Sequence, residues 1–268
     1  MFFSKEYQFV NIFTTLNRLK VYIQILNGKQ VFSNETSPFK ISDNEVMSDE
    51  ICNFLNRKQE KIPLTYIVSV VNSTDQIIIK KDEQFDKDKY ENSHLNNFFD
   101  VLVPKASLFE VTHFFECSGI DLIYSPFDIL MRYIEDNISH PALDILICDN
   151  ILYALICDKE QVLFSTTSTI ITKEEVYNSD FFTSYEESNI LFSQMYYLEL
   201  IEFIKDSLAK FNSSKNAKFI EKINILYLEQ NLTPAQVKDI NSELLLEITY
   251  EKLAFLEELN ELAKEDIL

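Results

Sequence analysis

Glycine is almost absent from this chain, with only Gly28 and Gly119 among 268 residues. A GxSxG nucleophile turn is therefore excluded, because its two glycines must flank the same serine. Basic residues are also scarce: 24 Lys and Arg stand against 43 Asp and Glu, a formal net charge of −19. This balance opposes binding to nucleic acid or to an anionic membrane surface, since both depend on clustered basic side chains. A basic partner suits the chain better.

Metal-binding spacing is also missing. The cysteines lie far apart, without a CxxC pair, and each falls in an apolar run: Cys52, Cys117, Cys148 and Cys157. They are predicted to be buried free thiols in a reducing compartment. The histidines sit in no ligand spacing with the cysteines or with one another: His94, His113 and His140. No metal site is expected.

No apolar run approaches the ~20 residues that cross a bilayer. The N-terminal MFFSKEYQFVNIF lacks the basic start and the small-residue cleavage site of a signal peptide. The chain is expected to be soluble and cytoplasmic, or to be the soluble part of a longer membrane protein. Its 268 residues suffice for one large domain or two medium ones, and 46% hydrophobic with 25% charged residues predicts a compact body.

Alternating apolar and polar residues predict the first strands. Residues 19–25 alternate strictly, and Asn27-Gly28 is a strong hairpin signal. The first part of the chain is predicted to begin with three antiparallel strands in residues 8–33, a helix from Ser42 to about Arg57 and a buried strand at 64–71. Strands at 76–80 and 100–104 follow, with a solvated helix or loop between them. The part ends with a helix from Lys105 to Ser118 that stops at Gly119, a strand at 120–124 and a helix capped by Ser125.

The second part repeats this order of elements. It is predicted to begin with strands at 143–148, 151–158 and 161–170, followed by a polar link at 172–189 and a helix from about Ile190 to Phe211. A strand at 223–228, a helix capped by Thr233, a strand at 244–250 and an acidic amphipathic helix complete it. A meander followed by alternating helices and strands, present twice, indicates an internal duplication. The predicted organisation is a first half at 1–140 with an insert at about 72–104, a second half at 141–250 and a C-terminal helix at 251–268.

The duplicated order resembles the actin-like (ribonuclease H-like) α/β fold of actin, sugar kinases and heat-shock ATPases. The inserted region is similar to that of the pilus-assembly protein PilM and the cytoplasmic domain of the type II secretion protein GspL. In those proteins a strand of the form VLV-x-(A/P)-K leads into a helix, a glycine, and then a strand and a helix. Val101 to Lys105, Gly119 and Ser125 to Leu130 match this pattern. The resemblance spans roughly residues 8–250.

The resemblance implies where a nucleotide would lie, but the residues there depart from the family pattern. Actin-like ATPases hold the phosphates on the turns of the two meanders, with an Asp-x-Gly motif whose glycine allows close approach. In the first meander Asn11 replaces the aspartate and Phe13 the glycine. In the second the candidates are the run that begins at Asp144 and the turn Asp149-Asn150. The adenosine would lie near residues 226–231, which contain no glycine.

Nucleotide hydrolysis is therefore not expected. Phe13 would obstruct a phosphate, and without the aspartate Mg²⁺ would lack a protein ligand. No catalytic, cofactor-binding or metal-binding residue is assigned, and no cofactor is expected. Arg18 and Lys20, beside the first turn, suit either an anion site or an ordinary solvated strand face. The acidic run at 257–266 is interpreted as a solvated helix face, because it has no cation-ligand spacing.

These patterns favour a non-catalytic adaptor of a bacterial type II secretion or type IV pilus (or related DNA-uptake) platform, at the cytoplasmic face of the inner membrane. Its expected partners are an assembly ATPase and platform proteins, with no nucleic acid, and a homodimer is left open. Residues 229–268 carry ten acidic residues against three lysines, either a docking surface or a solubilising face. The alternatives are an active nucleotide-binding ATPase or kinase with degenerate motifs, and a soluble regulator without a membrane link.

Overall fold

The computed structural model describes residues 5–15, 18–28, 30–41, 46–137, 141–177 and 185–268. The first half contains β1 (Glu6–Thr14), β2 (Arg18–Asn27), β3 (Gln30–Lys40), α1 (Asp49–Lys61), β4 (Thr65–Val70), β5 (Ile77–Lys80), β6 (Tyr90–His94), β7 (Phe99–Pro104), α2 (Lys105–Phe114), β8 (Leu122–Tyr124) and α3 (Pro126–Asp136). Its main sheet has the order β3-β2-β1-β4-β8. The first three strands are antiparallel neighbours, and β4 and β8 continue the sheet parallel to β1.

The second half repeats this arrangement. It contains β9 (Leu143–Cys148), β10 (Ile151–Asp158), β11 (Gln161–Thr169), α4 (Lys173–Tyr177), α5 (Tyr185–Asn212), β12 (Lys222–Tyr227), α6 (Pro234–Leu244), β13 (Glu247–Lys252) and α7 (Phe255–Ile267). Its sheet has the order β11-β10-β9-β12-β13, with the same pattern of antiparallel and parallel pairs. Among the described residues, no helix is both long enough and apolar enough to cross a membrane.

Local sequence signals produce the turns and caps where they were predicted. Gly28 adopts a φ of 64° in the β2–β3 hairpin, a conformation that favours glycine. Ser125 caps α3 through a reciprocal pair of bonds, in which Phe127 N donates to Ser125 Oγ and Ser125 N donates to Asp128 Oδ2. Thr233 caps α6 in the same way, with Gln236 as its partner. These capping boxes confirm both predicted helix starts.

Several predicted boundaries were wrong. Helix α1 begins at Asp49 rather than at Ser42, which lies outside the described residues, and Val46 is exposed ahead of it. Helix α2 ends four residues before Ser118, and a turn continues to Gly119. Strand β13 begins three residues later than predicted, because α6 extends through Leu244. At β13 a run of apolar residues, 244–246, crosses the boundary with α6, so periodicity alone does not locate it.

The inserted region forms a small sheet of its own, with the order β5-β7-β6. Strands β5 and β7 agree with the prediction. Strand β6, Tyr90–His94, lies where a solvated helix or loop was expected. Its residues are mostly exposed and polar, so no apolar alternation marks it. It is a strand because it pairs antiparallel with the buried β7.

The prediction for the cysteines was half wrong. Cys52 of α1 and Cys117, in the turn after α2, form a disulfide, with their Cα atoms 5.9 Å apart. The fold brings together two residues 65 positions apart, a proximity that sequence spacing does not reveal. Cys148 and Cys157 are buried free thiols, as predicted. Burial raises the pKa of the Cys157 thiol to about 12.

Helix α7 returns from the second half to pack on the first sheet. Its Asn260 is fully buried, donates to Gln24 Oε1 (2.9 Å) and accepts from Asn11 Nδ2 (2.8 Å). Arg132 of α3 forms ion pairs with Glu258 and Glu265 of the same helix. A buried hydrophobic cluster that includes residues of α7, α3 and both main sheets continues across the junction. The two halves therefore share this cluster, while each half also has a hydrophobic cluster of its own.

Tyr153 of β10 connects the halves at the segment after β4. Its ring is buried and packs edge-on against Phe127, with the centroids 5.1 Å apart. Its hydroxyl accepts a hydrogen bond from Ser73 N (2.9 Å) and lies 2.9 Å from Asn72 Oδ1, to which it donates. Asn72 Nδ2 donates in turn to the carbonyl of Cys148 (3.2 Å). One tyrosine thus connects the first half to the second-half hairpin.

Substitution Tyr153→Phe is expected to lower the free energy of unfolding by about 1–3 kcal/mol, because it leaves buried polar partners unpaired. Denaturant titration of the full chain measures the change. Tyr7→Phe is the matched control, because no hydrogen bond of the Tyr7 hydroxyl is found in the described part of the chain. Equal effects of the two substitutions would contradict the role of the Tyr153 hydroxyl.

Candidate functional site

A cleft of about 260 Å³ opens where the β1–β2 and β9–β10 turns of the two halves face each other. Its lining residues come from both halves: Phe13, Thr15, Arg18, Lys20, Ile147, Asp149, Ile171, Thr172, Lys173, Glu174, Phe192, Tyr196, Leu228, Glu229 and Asn231. Both turns and the segment 226–231 were predicted to surround a nucleotide position. The structure brings these three predicted parts together.

The first turn has an aromatic ring where close backbone approach would be needed. Phe13 is almost fully buried, lines the cleft and packs against Phe255 of α7, with the ring centroids 4.8 Å apart. Asn11, which replaces the motif aspartate, does not line the cleft. It lies under α7, hydrogen-bonded to Asn260. In the described residues on either side of this turn, 11–15 and 18–20, there is neither a carboxylate for Mg²⁺ nor a backbone left open by glycine for a phosphate.

The second turn consists of Asp149-Asn150, because Cys148 and Ile151 are paired residues of adjacent strands. Asp149 has a φ of 57°, a conformation that aspartate tolerates better than most residues. It lines the cleft, whereas Asp144 does not. Asp144 lies at the opposite end of β9, away from the cleft. Of the two candidate positions, only the turn Asp149-Asn150 is at the cleft.

A salt bridge crosses the cleft. Lys20 Nζ of β2 lies 2.8 Å from Glu229 Oε1, in the segment after β12. The hydrogen bond from Lys20, with the charges of Arg18 and Lys173, lowers the pKa of Glu229 below its ordinary value. Both side chains are partly exposed, so the pair contributes only about 0–1 kcal/mol to stability. Its importance lies in its position, since it joins the two halves across the cleft.

The far wall of the cleft is formed by α4 and α5. Tyr196 of α5 is 1% exposed, and its hydroxyl, beside the Asn231 side chain, makes no hydrogen bond of ordinary geometry with the described residues. Burial raises the pKa of Tyr196 above its usual range. Buried hydroxyls usually have a strong hydrogen-bond partner, so Tyr196 is a candidate donor to a small polar ligand that reaches this wall.

The charges around the cleft balance. The basic residues are Arg18, Lys20 and Lys173, and the acidic residues are Asp149, Glu174 and Glu229. A triphosphate needs an excess of positive charge or a bound cation, and this lining offers no such excess. Within the described residues, no group of three His, Cys, Asp or Glu side chains is placed to hold a metal ion.

Sequence reasoning located Arg18 and Lys20 but did not predict the pairing of Lys20 with Glu229. The prediction did include 226–231, the segment that contains Glu229. Lys173 and Tyr196 were missed. Lys173 falls in what was described as a polar link, and Tyr196 lies among core-spaced aromatics, so neither carries a local signal. Only the meeting of the two halves gives these residues a common site.

Two family models match the chain. A domain of unknown function (DUF8569) matches residues 5–131, and a second domain of unknown function (DUF8341) matches residues 183–268. No curated protein sequence matches. The two matched segments lie in the first and second halves respectively.

Solved structures show the fold. The PilM-PilN type IV pilus biogenesis complex contains a chain with a TM-score of 0.60 and 13% identity, over 95% of this chain and 90% of that one. MreB5 of Spiroplasma citri bound to ADP gives a TM-score of 0.52 and 9% identity, over 97% of each chain. A Bacteroides thetaiotaomicron protein with an actin-like ATPase fold gives 0.50 and 10%, over 97% and 96%. The predicted α/β fold class is confirmed: this chain has the duplicated actin-like fold, as PilM does.

Proposed function

We propose that the chain is a non-catalytic actin-like adaptor of a type IV pilus or type II secretion platform, coupling an assembly ATPase to the inner membrane at its cytoplasmic face. The similarity to a PilM chain over nearly the whole length supports the pilus-related part of this proposal. Its non-catalytic part rests on one observation: Phe13 and the Lys20–Glu229 pair stand where a nucleotide would have to fit.

The physical argument concerns what holds the halves together. In an ATPase of this fold the nucleotide lies between the two halves. Here direct contacts take that role, because Lys20 bonds Glu229, Tyr153 bonds the Ser73 backbone, and α7 packs against the first sheet. A chain whose halves are already joined needs no ligand to hold this arrangement. A protein whose two halves stay joined without a ligand can act as a scaffold.

Isothermal calorimetry with ATP and Mg²⁺ tests the non-catalytic role. The full chain is expected to show no binding at micromolar concentrations and no phosphate release, because the lining is neutral and Phe13 occupies the phosphate position. MreB5 of Spiroplasma citri, whose structure holds ADP, is the positive control. Micromolar binding that is lost on Arg18→Ala would contradict the proposal.

A second candidate function is binding of nucleotide or another anion without hydrolysis. The observations that favour it are the three basic residues around the cleft and the unbonded Tyr196 hydroxyl. If this candidate is correct, Tyr196→Phe and Lys173→Ala should both weaken the calorimetric signal, whereas Lys205→Ala, outside the cleft, should not.

Crosslinking in native cells tests the platform role. The chain is expected to capture both an assembly ATPase and an inner-membrane platform protein. Capture of neither, under conditions that preserve a known platform complex, would count against it.

A further inference from the structure

A second cavity, of about 490 Å³, lies at the opposite end of the second sheet from the cleft. It is bounded by the end of α3, the β10–β11 hairpin and the starts of β9, β12 and β13. Strand β9 has six residues and reaches the cleft at its far end, about 17 Å away at the rise of a β-strand. The volume falls within the range of about 300–1,000 Å³ that is usual for ligand sites.

The cavity contains a buried carboxyl group. Asp144 is 5% exposed and lines the cavity. Its Oδ1 accepts from Asn224 Nδ2 (2.7 Å), and Asn224 is itself fixed by a bond from Thr249 Oγ1 (2.6 Å). No hydrogen bond to its Oδ2 is found in the described part of the chain. Burial raises the pKa of Asp144 to about 6. A buried carboxylate with an unpaired oxygen favours a cationic ligand.

The remaining charges of the lining also favour a cation. Three further acidic residues, Asp158, Glu221 and Glu247, line the cavity together with Lys159 and Lys222. Asp158 already forms a salt bridge with Lys218, so Asp144, Glu221 and Glu247 carry the acidic excess. Neither lysine lies within ion-pair distance of Asp144 in the described structure, although the charge of Lys222 lowers the pKa of Asp144 slightly against the effect of burial. Because Asn224 already occupies Oδ1, a single oxygen is left. A compact ammonium group suits one oxygen better than a guanidinium, which prefers two.

Two exposed apolar side chains lie at the same end of the second sheet as this cavity, outside its lining. Phe219 is 80% exposed and Leu245 is 87% exposed. They precede β12 and β13, which are parallel and begin with the paired residues Lys222 and Glu247, so both lie at the same end of the sheet. Leu245 has a φ of 55° at the end of α6, where glycine is usual. An exposed leucine in this conformation gains little from packing in the chain itself, so contact with a partner would give this side chain a role.

We propose that this end of the second sheet binds a basic segment of a partner protein, with a lysine ammonium group on Asp144 and apolar neighbours on Phe219 and Leu245. The excess of acidic groups in the cavity, in a chain of net charge −19, supplies the charge complementarity. The inference names the chemistry of one partner of the proposed adaptor and rests on that binding role.

The test uses the full chain and two peptide pools. In the first, a central lysine is flanked by mixed apolar residues; in the second, acetyl-lysine replaces that lysine. Calorimetry is expected to show binding of the lysine pool that is at least tenfold tighter than that of the acetyl-lysine pool. Asp144→Asn, which keeps an acceptor for Asn224, should weaken lysine-pool binding about tenfold, and Leu245→Gly should weaken it several-fold without backbone strain.

Matched controls alter the same residue types elsewhere. Asp128→Asn alters another buried carboxyl and Leu198→Ser another exposed leucine, and neither lies in the cavity. Both should leave binding of the lysine pool unchanged.

Three results would overturn the proposal. They are absence of lysine-pool binding at millimolar concentration, equal binding of the two pools, and binding that survives Asp144→Asn. Spermidine is tested alongside: if spermidine needs Asp144 while Leu245→Gly affects no ligand, the site binds a small polyamine and the partner-segment proposal fails. ATP titration of the same samples reports on the distant cleft, so failure of the proposed function would be seen separately.

Discussion

Reduction of the Cys52–Cys117 disulfide is expected to lower the free energy of unfolding by about 4 kcal/mol, the chain-entropy value for a closed loop of this length. The cross-link joins residues 65 positions apart, and the loop that it closes contains β4, the inserted sheet and α2. Without it, the unfolded chain gains conformational freedom that the folded chain does not. Denaturant titration with and without dithiothreitol measures the difference.

Cys117→Ser supplies the control. Cys117 is exposed, so serine is tolerated there, and this variant should be as unstable as the reduced protein and insensitive to dithiothreitol. Thiol titration of the unfolded, unreduced chain should count two free thiols, those of Cys148 and Cys157. A count of four, or dithiothreitol sensitivity of Cys117→Ser, would contradict the disulfide.

In the parent protein, ionisation of Asp128 is expected to lower the free energy of unfolding by up to about 4 kcal/mol as the pH rises from 4 to 7. Asp128→Asn is expected to abolish this decrease. Burial raises the pKa of Asp128 from 3.8 to about 7, against the hydrogen bond from the Ser125 amide and with help from the charge of Asp266. Between these two pH values the folded chain holds a proton that the unfolded chain has lost. Stability from this group is therefore complete below about pH 4 and is lost as the pH rises through 7.

The measurement compares unfolding free energies of the two proteins from pH 4 to pH 8. The advantage of Asp128→Asn over the parent should grow up to about pH 7 and then level off. Asp75→Asn, an exposed aspartate, corrects for the removal of one charge from a chain of net charge −19. If both variants show the same dependence on pH, burial of Asp128 is not its cause.

Local sequence patterns predicted part of the fold and of the cleft, but not the contacts between distant residues. The alternation in β2, the Asn27-Gly28 hairpin and the two capping boxes are local, because a few neighbouring residues determine each of them. With such signals the order of elements was predicted correctly except for β6 and α4, which were missed. The order alone indicated the duplicated fold. The choice between Asp144 and Asp149 was not local. The predicted strand bounds already put Asp149 at a turn, but only the packing of the two halves shows that this turn, and not the start of β9, lines the cleft.

The sequence by itself determined the class of fold, the absence of glycine from the β1–β2 and β9–β10 turns and the acidic balance, since each depends on residue type or on short-range spacing. Only the tertiary structure decided the Cys52–Cys117 disulfide, the Lys20–Glu229 bridge and the cavity around Asp144. Each joins residues that are far apart in the chain and close in space. Their proximity follows from the packing of the two halves around a shared core, which no local pattern encodes.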